Sequence, residues 1–409
     1  MSSVSSFGPS HSGSTITQIW EAFHTLVVNE LYPWDREYLD NMPVRREDKS
    51  IFVSVASYRD ENCLSTLTGA YSNSFNPKKL NFGITQQNCV EDCKSGVLEG
   101  GKVEDVEPDE DCYEEFCKGK WGEACEDGRV RVLKIKEFGS LGPYFARFLG
   151  SKLWNGESYY LQIDSHMTFA PSWDLKSIQM LTSAPSKKPV ITTYPPPHTT
   201  KFKGKGTRIC DPLFAPSDIE KSIIRLAGSE QYDKVAGKPR VAPFVAAGYF
   251  VAHSGFLSEV PFDPFLPWIF MGEEISMSAR LWTAGYDLFS PNQDVTGHIY
   301  VRRHTPKFWE VFQREFHSTG GGHNSMQLKI IDRIKYTLGY PEAARHLIRD
   351  QSILTAVEEY GMGGARPLED YLEMVGLDMV GKKVTPATWC HTGVPPPLHW
   401  YDEIRDQYK

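Results

Sequence analysis

The chain has 409 residues, 40% of them hydrophobic and 23% charged, with a formal net charge of −8. This is globular composition and not that of a disordered chain, and the acidic balance argues against a nucleic-acid partner, whose footprint is basic. The length holds one large α/β catalytic domain with appendages, or two smaller domains.

The first residues, MSSVSSFGPSHSGST, are polar, with no basic stretch followed by an apolar one, so no secretory signal is expected. No apolar run is long enough to span a bilayer. These readings predict a cytoplasmic protein without a membrane partner. Eight cysteines are too few for a disulfide scaffold of this length.

Residues 1–48 read as a flexible start and one amphipathic helix over 16–31. Ile19, Trp20, Phe23, Leu26 and Val27 recur at helical spacing, and Pro33 is the expected stop. IFVSVA (51–56) is a buried strand with polar SYRDEN (57–62) at its end. A helix over 63–74 and a strand LNFGI (80–84) complete a βαβ unit, which predicts a parallel sheet. Residues 86–128 interrupt the pattern. This insertion is acidic and carries Cys89, Cys93, Cys112, Cys117 and Cys125. Their spacing matches no zinc pattern well, and buried or free thiols are the plainer expectation, disulfides requiring an oxidising compartment.

The alternation then resumes: a strand over 129–135, a helix over 142–154, a strand over 158–163, a helix over 173–181 and a strand over 190–193. A basic loop (201–208) reads as a solvated loop or a mobile lid over phosphate. A strand over 243–252, a helix over 273–284 and a strand over 295–301 follow. Strands alternating with helices imply an open, Rossmann-like α/β sheet. Past residue 305 the composition shifts to helical patterns (307–316, 325–338) and a Pro- and aromatic-rich tail. The expected division is therefore 1–48, a catalytic domain over 49–304, and an extension over 305–409 whose tryptophans pack back on the core.

The chemistry concentrates at the end of the strand over 158–163. Asp164 and His166 project to one side, with Ser165 opposite. In open α/β sheets ligands sit beyond the carboxyl ends of strands. A carboxylate and an imidazole there can share a divalent cation that stabilises charge developing on a nucleotide diphosphate; such a donor set suits Mn2+, with Mg2+ or Co2+ as alternatives. An isolated Asp-x-His is more often a turn cap beside a surface histidine. His298 changes that balance, since it lies with Tyr300 and Arg302 on the polar face of a late strand, opposite Val295, Ile299 and Val301. Glu273 and Glu274 open a helix. They either favour its dipole or meet sugar and acceptor. Ser57, Tyr58, Arg59 and Asp60 end the first strand, where Arg59 and Asp60 could hold base, ribose or phosphate, or pair with each other.

Taken together, SVASYRDENCLSTL (54–67), QIDSHMTFAPSWD (162–174), AAGYFVAHSGFLSEVPFDP (246–264), FMGEEISMSARLWTAGYDLFSP (270–291) and TGH (296–298) resemble the cytoplasmic N-acetylglucosaminyltransferases that modify hydroxyproline in the adaptor subunit of SCF ubiquitin ligases. The resemblance covers roughly residues 50–305. It implies a GT-A fold, UDP-GlcNAc as donor, a protein acceptor and retention of the sugar's α configuration. It places the metal on Asp164, His166 and His298, and the donor near Ser57, Tyr58, Arg59, Asp60, Asp164, Ser165 and Gly248. Glu273 or Glu274 becomes the catalytic acid near the sugar. The same scaffold could serve another acceptor. A zinc hydrolase is disfavoured by the absence of H-x-H and H-E-x-x-H, and a non-catalytic binding module by the intact D-S-H and G-E-E.

Overall fold

A capping box starts the structure: Thr15 and Gln18 satisfy each other's backbone donors, and α1 (Ile16–Leu26) buries Ile19, Trp20 and Phe23. The computed structural model describes residues 15–96, 102–202, 206–216, 220–227, 230–231, 237–302, 305–310 and 322–408. Pro33 does not end the first helix. The backbone widens into a π turn over Val27–Leu31, and α2 (Tyr32–Asp40) continues with Pro33 in its first turn. The widened turn absorbs the hydrogen bond that proline cannot donate.

The core is one eight-stranded sheet. Its strands are β1 (Ile51–Tyr58), β2 (Leu80–Asn88), β3 (Val130–Lys136), β4 (Tyr159–Asp164), β6 (Pro189–Thr192), β9 (Arg240–Val241), β10 (Tyr249–His253) and β11 (Asp287–Ser290). The order is β9-β11-β6-β10-β4-β1-β2-β3. β10 runs antiparallel between β4 and β6, and β9 antiparallel to β11; the remaining pairs are parallel. The strand count reverses direction at β1 and β4, the crevice where such sheets bind ligands. Of the small two-stranded pairs outside the sheet, two border the site: β5 (Met167–Phe169) with β12 (Thr296–His298), and β7 (Asp211–Phe214) with β8 (Ile224–Ala227). This is the mixed α/β, GT-A arrangement expected from the sequence. Two strands are shorter than expected: the 243–252 stretch is extended only from Tyr249, and the 295–301 alternation stops at His298, leaving Val301 68% exposed.

Among the helices, α3 (Cys63–Asn73) follows β1, and α4 (Pro143–Ser151) packs on β1 and β2 with every side chain from Tyr144 to Ser151 buried. α5 (Trp173–Ser183) lies on β6 and β10, and α6 (Glu273–Thr283) against β11. Beyond residue 305, α7 (Gly322–Thr337) and the tail share the same core: Met326, Ile330, Tyr360, Tyr371 and Tyr401 join the sheet residues in one hydrophobic cluster. The expected helix over 307–316 is helical at 308–310, and its remainder lies outside the described residues. Residues 203–205 of the basic loop do too, whereas Thr207 and Arg208 are buried.

The cysteines correct the expectation of free thiols. All eight are paired, as Cys63–Cys112, Cys89–Cys93, Cys117–Cys125 and Cys210–Cys390. They do not replace a core. Three staple the insertion, and the fourth fastens the tail to the segment before β7. Spacing could not show this, since Cys112 pairs with α3 and not within its own cluster.

Candidate active site

β4 carries an apolar run through the sheet and delivers Asp164 at its carboxyl end, level with Ala56 of β1. The chain turns and enters β5, whose pairing with β12 sets His298 opposite Met167. His166 and His298 therefore meet, with ring centroids 4.5 Å apart and planes at 77°. One ligand atom each from Asp164, His166 and His298 lies within 4.8 Å of the other two. The three expected ligands, far apart in sequence, converge.

The two histidines are held differently. His166 Nδ1 donates to Asp60 Oδ2 at 2.6 Å, which fixes the ring and leaves the other nitrogen for coordination. Asp60 also accepts from Ser165 Oγ at 2.6 Å and Arg302 Nη1 at 3.0 Å. Burial pushes the Asp60 pKa up, but the His166 hydrogen bond and the His166 and Arg302 charges outweigh it and hold the carboxyl well below the usual range. His298 Nε2 lies 3.1 Å from Asp164 Oδ2, while its Nδ1 is buried with no hydrogen-bond partner among the described residues. One carboxylate and two imidazoles fit a borderline divalent ion.

A second cluster lies on the other side of Asp164. Arg147, from the buried helix α4, donates to Asp164 Oδ1 at 2.9 Å and to both oxygens of Glu273 at 2.6 and 2.5 Å. Burial raises Asp164's pKa, but His298 and Arg147 together bring it far below normal. Burial leaves Glu273 raised in spite of Arg147. Glu274 accepts from the Ala247 N–H at 2.8 Å and from the Tyr194 hydroxyl at 2.5 Å. Both donors are neutral, so burial dominates and its pKa rises to about 7. Gly272, with φ +97°, makes the turn that aims both glutamates inward.

Both clusters line a cavity of about 490 Å³ that also takes in Tyr58, Gly248, Tyr300, Arg302 and Lys307. That volume suits a nucleotide-sized ligand. Gly248 is needed for a tighter reason than sugar approach: a Cβ there would stand 2.9 Å from Asp164 Oδ2.

Not every expected donor contact faces the cavity. Arg59 is 3% exposed and gives its guanidinium to Asp109 (2.8 and 3.1 Å) and the Lys94 carbonyl (2.7 Å), so it ties the insertion to β1. Ser57 is buried, its carbonyl accepting from Gln87. Asp60 and Ser165 bond each other and His166, acting behind the ligand set. Sequence reasoning missed Arg147, Tyr194 and Lys307. The one visible signal was a charged residue inside the apolar run PYFARFLG (143–150).

The Asp164–His166–His298 cluster thus lies at the switch point of a GT-A sheet, beside the buried Glu273 and the half-buried Glu274. The chain belongs to the GlcNAc glycosyltransferase family: the family model described as Glycosyltransferase (GlcNAc) matches residues 50–381. No curated protein matches the chain. Similar solved structures include GalNAc-T7 with UDP, GalNAc and Mn2+, at 14% identity and TM-score 0.45, covering 82% of this chain and 61% of that one. Another is S. aureus TarS 1–349 in complex with UDP-GlcNAc, at 13% identity and TM-score 0.35, covering 84% and 92%. The chain thus spans 61% of the length of the GalNAc-T7 chain.

Proposed function

We propose that the protein transfers N-acetylglucosamine from UDP-GlcNAc to a hydroxyl on a protein, hydroxyproline being the residue implied by the sequence resemblance, with retention of configuration. The observation that carries this reading is the convergence of Asp164, His166 and His298 on the cavity, in a chain of the GlcNAc glycosyltransferase family. These residues would hold Mn2+, or Mg2+ or Co2+ in its place. Such an ion supplies Lewis-acid stabilisation of the leaving diphosphate.

The protein's own groups orient and insulate. Asp60 holds the His166 ring, Arg147 fixes the rotamer of Asp164, and Gly248 leaves room for that carboxylate. Both Glu273 oxygens accept from Arg147, and each Glu274 oxygen accepts a hydrogen bond of its own. Each of the four oxygens thus already accepts a hydrogen bond, which weakens both carboxylates as nucleophiles toward an anomeric carbon. This supports a front-face transfer, in which the sugar–phosphate bond breaks as the acceptor oxygen bonds to the same face. The departing phosphate oxygen takes the acceptor's proton, and catalysis rests on position and charge. A trapped glycosyl-enzyme on Glu273 or Glu274 would overturn that mechanism.

The test is turnover of UDP- and GDP-sugars with and without Mn2+, on wild type and Asp164→Ala. Consumption of UDP-GlcNAc that is lost with EDTA and in the variant is expected. Failure to bind any nucleotide sugar sinks the reading.

The four disulfides support maturation in an oxidising compartment in place of the expected cytoplasm, since cytosolic thiols stay reduced. The acceptor is then a protein of that compartment and not the ubiquitin-ligase adaptor. Non-reducing peptide mapping of protein from its own cells should yield linked Cys63/Cys112 and Cys210/Cys390 peptides; free thiols would restore the cytoplasmic assignment.

A further inference from the structure

The leaving nucleotide diphosphate carries one charge on its inner phosphate and about 1.5 to 2 on its outer one. A divalent ion held by the Asp164 carboxylate contributes a net charge of about +1. The cavity must supply more positive charge, and most of its cations are already matched. Arg147 is taken by Glu273 and Asp164, Arg302 by Asp60, and Arg225 by Glu220.

Lys307 is different. It lines the cavity, and its Nζ donates to the carbonyl oxygens of Arg302 (3.1 Å) and Thr305 (2.9 Å). No carboxylate among the described residues lies within ion-pair distance of it. The facing charges are the like charge of Arg302, the Glu310 carboxylate, which accepts from the Lys307 backbone N–H at 3.3 Å, and the weaker influence of Asp60; burial and Arg302 together lower its pKa. It also connects directly to the triad, through Arg302 to Asp60 and from Asp60 to His166. A half-buried ammonium braced on carbonyls beside the Asp164–His166–His298 cluster, with no ion-pair partner among the described residues, is suited to receive an anion.

We propose that Lys307 binds the outer phosphate of the leaving nucleotide and stabilises its charge as the sugar–phosphate bond breaks. Lys307 keeps its proton throughout; the acceptor's proton goes to the phosphate oxygen. This rests on the UDP-sugar reading above.

The experiment compares UDP and UMP binding by calorimetry in the presence of Mn2+, with UDP-GlcNAc turnover, for wild type, Lys307→Gln, Lys307→Ala and Lys307→Arg. Lys307→Gln keeps an N–H donor, one bond shorter, and removes the charge. UDP affinity should fall about 10- to 100-fold in the Gln and Ala variants, the loss expected for a hydrogen bond to a charged group. UMP affinity should change little, kcat should fall with the UDP affinity, and Arg should recover most of both. Equal losses of UDP and UMP, or unchanged UDP affinity in Lys307→Gln, overturn the assignment and make Lys307 a loop brace. Wild type that binds neither nucleotide overturns the UDP-sugar reading itself, and the assignment with it.

Discussion

Asp60 and Glu274 are both withdrawn from water, on opposite flanks of Asp164, yet their acidities move in opposite directions. Asp60 faces an imidazole, a guanidinium and a hydroxyl, and is held ionised. Glu274 faces a hydroxyl and a backbone amide, both neutral, and its pKa climbs to about 7. Burial is common to the two; the charge of the partners decides. One flank is therefore an anionic support for His166. The other sits near its titration point at neutral pH, suited to touching sugar hydroxyls and not to binding a cation.

The largest test removes the residue joining the two flanks. Arg147→Met leaves Glu273 and Asp164 buried without their cation, and should lower stability by about 3 to 5 kcal/mol in denaturant titration. A smaller loss would show that the two flanks do not depend on their shared cation. The acid flank can be tested alone through pH. Because the folded pKa of Glu274 lies above its model value of 4.5, its contribution is complete below that value and is lost as pH rises through about 7. Glu274→Gln removes the titration, so its stability relative to wild type should improve by about 3 kcal/mol between pH 4.5 and 8. A constant difference across that range would show that neutral partners do not raise this carboxyl.

On the metal flank, Asp60→Asn keeps the shape and removes the charge behind His166. Mn2+ affinity should fall roughly 10- to 100-fold with the fold intact. Gly248→Ala sharpens the geometry at the junction, since its methyl presses on Asp164 Oδ2. A several-fold weaker Mn2+ response is expected, roughly 1 kcal/mol, with thermal stability little changed.

The framework was readable because its signals are local. IFVSVA and YYLQID are apolar runs that end in polar residues, and their strand ends are where the site forms. Asp164 and His166 share a side through strand alternation, and His298 stood out on a polar face. What escaped depends on segments distant in sequence. Arg147 looks like an ordinary helical residue until α6 arrives with Glu273, 126 positions later. Arg59 sits at a strand end suited to a nucleotide, but Asp109 folds back from the insertion and claims it. The tail's place in the core likewise depends on Tyr371 and Tyr401 meeting α6 at Trp282.

The position of β10 bears on how the enzyme is made. β4, which ends in Asp164, is flanked by β1 and β10, and β10 begins only at Tyr249. As the chain leaves the ribosome, β4 can join β1 early but keeps a bare hydrogen-bonding edge until some 85 further residues have been synthesised. An apolar strand with an open edge is a template for wrong partners. A fragment ending before β10 would therefore be a sticky intermediate and not a half-enzyme, and the centre would assemble only after His298 emerges.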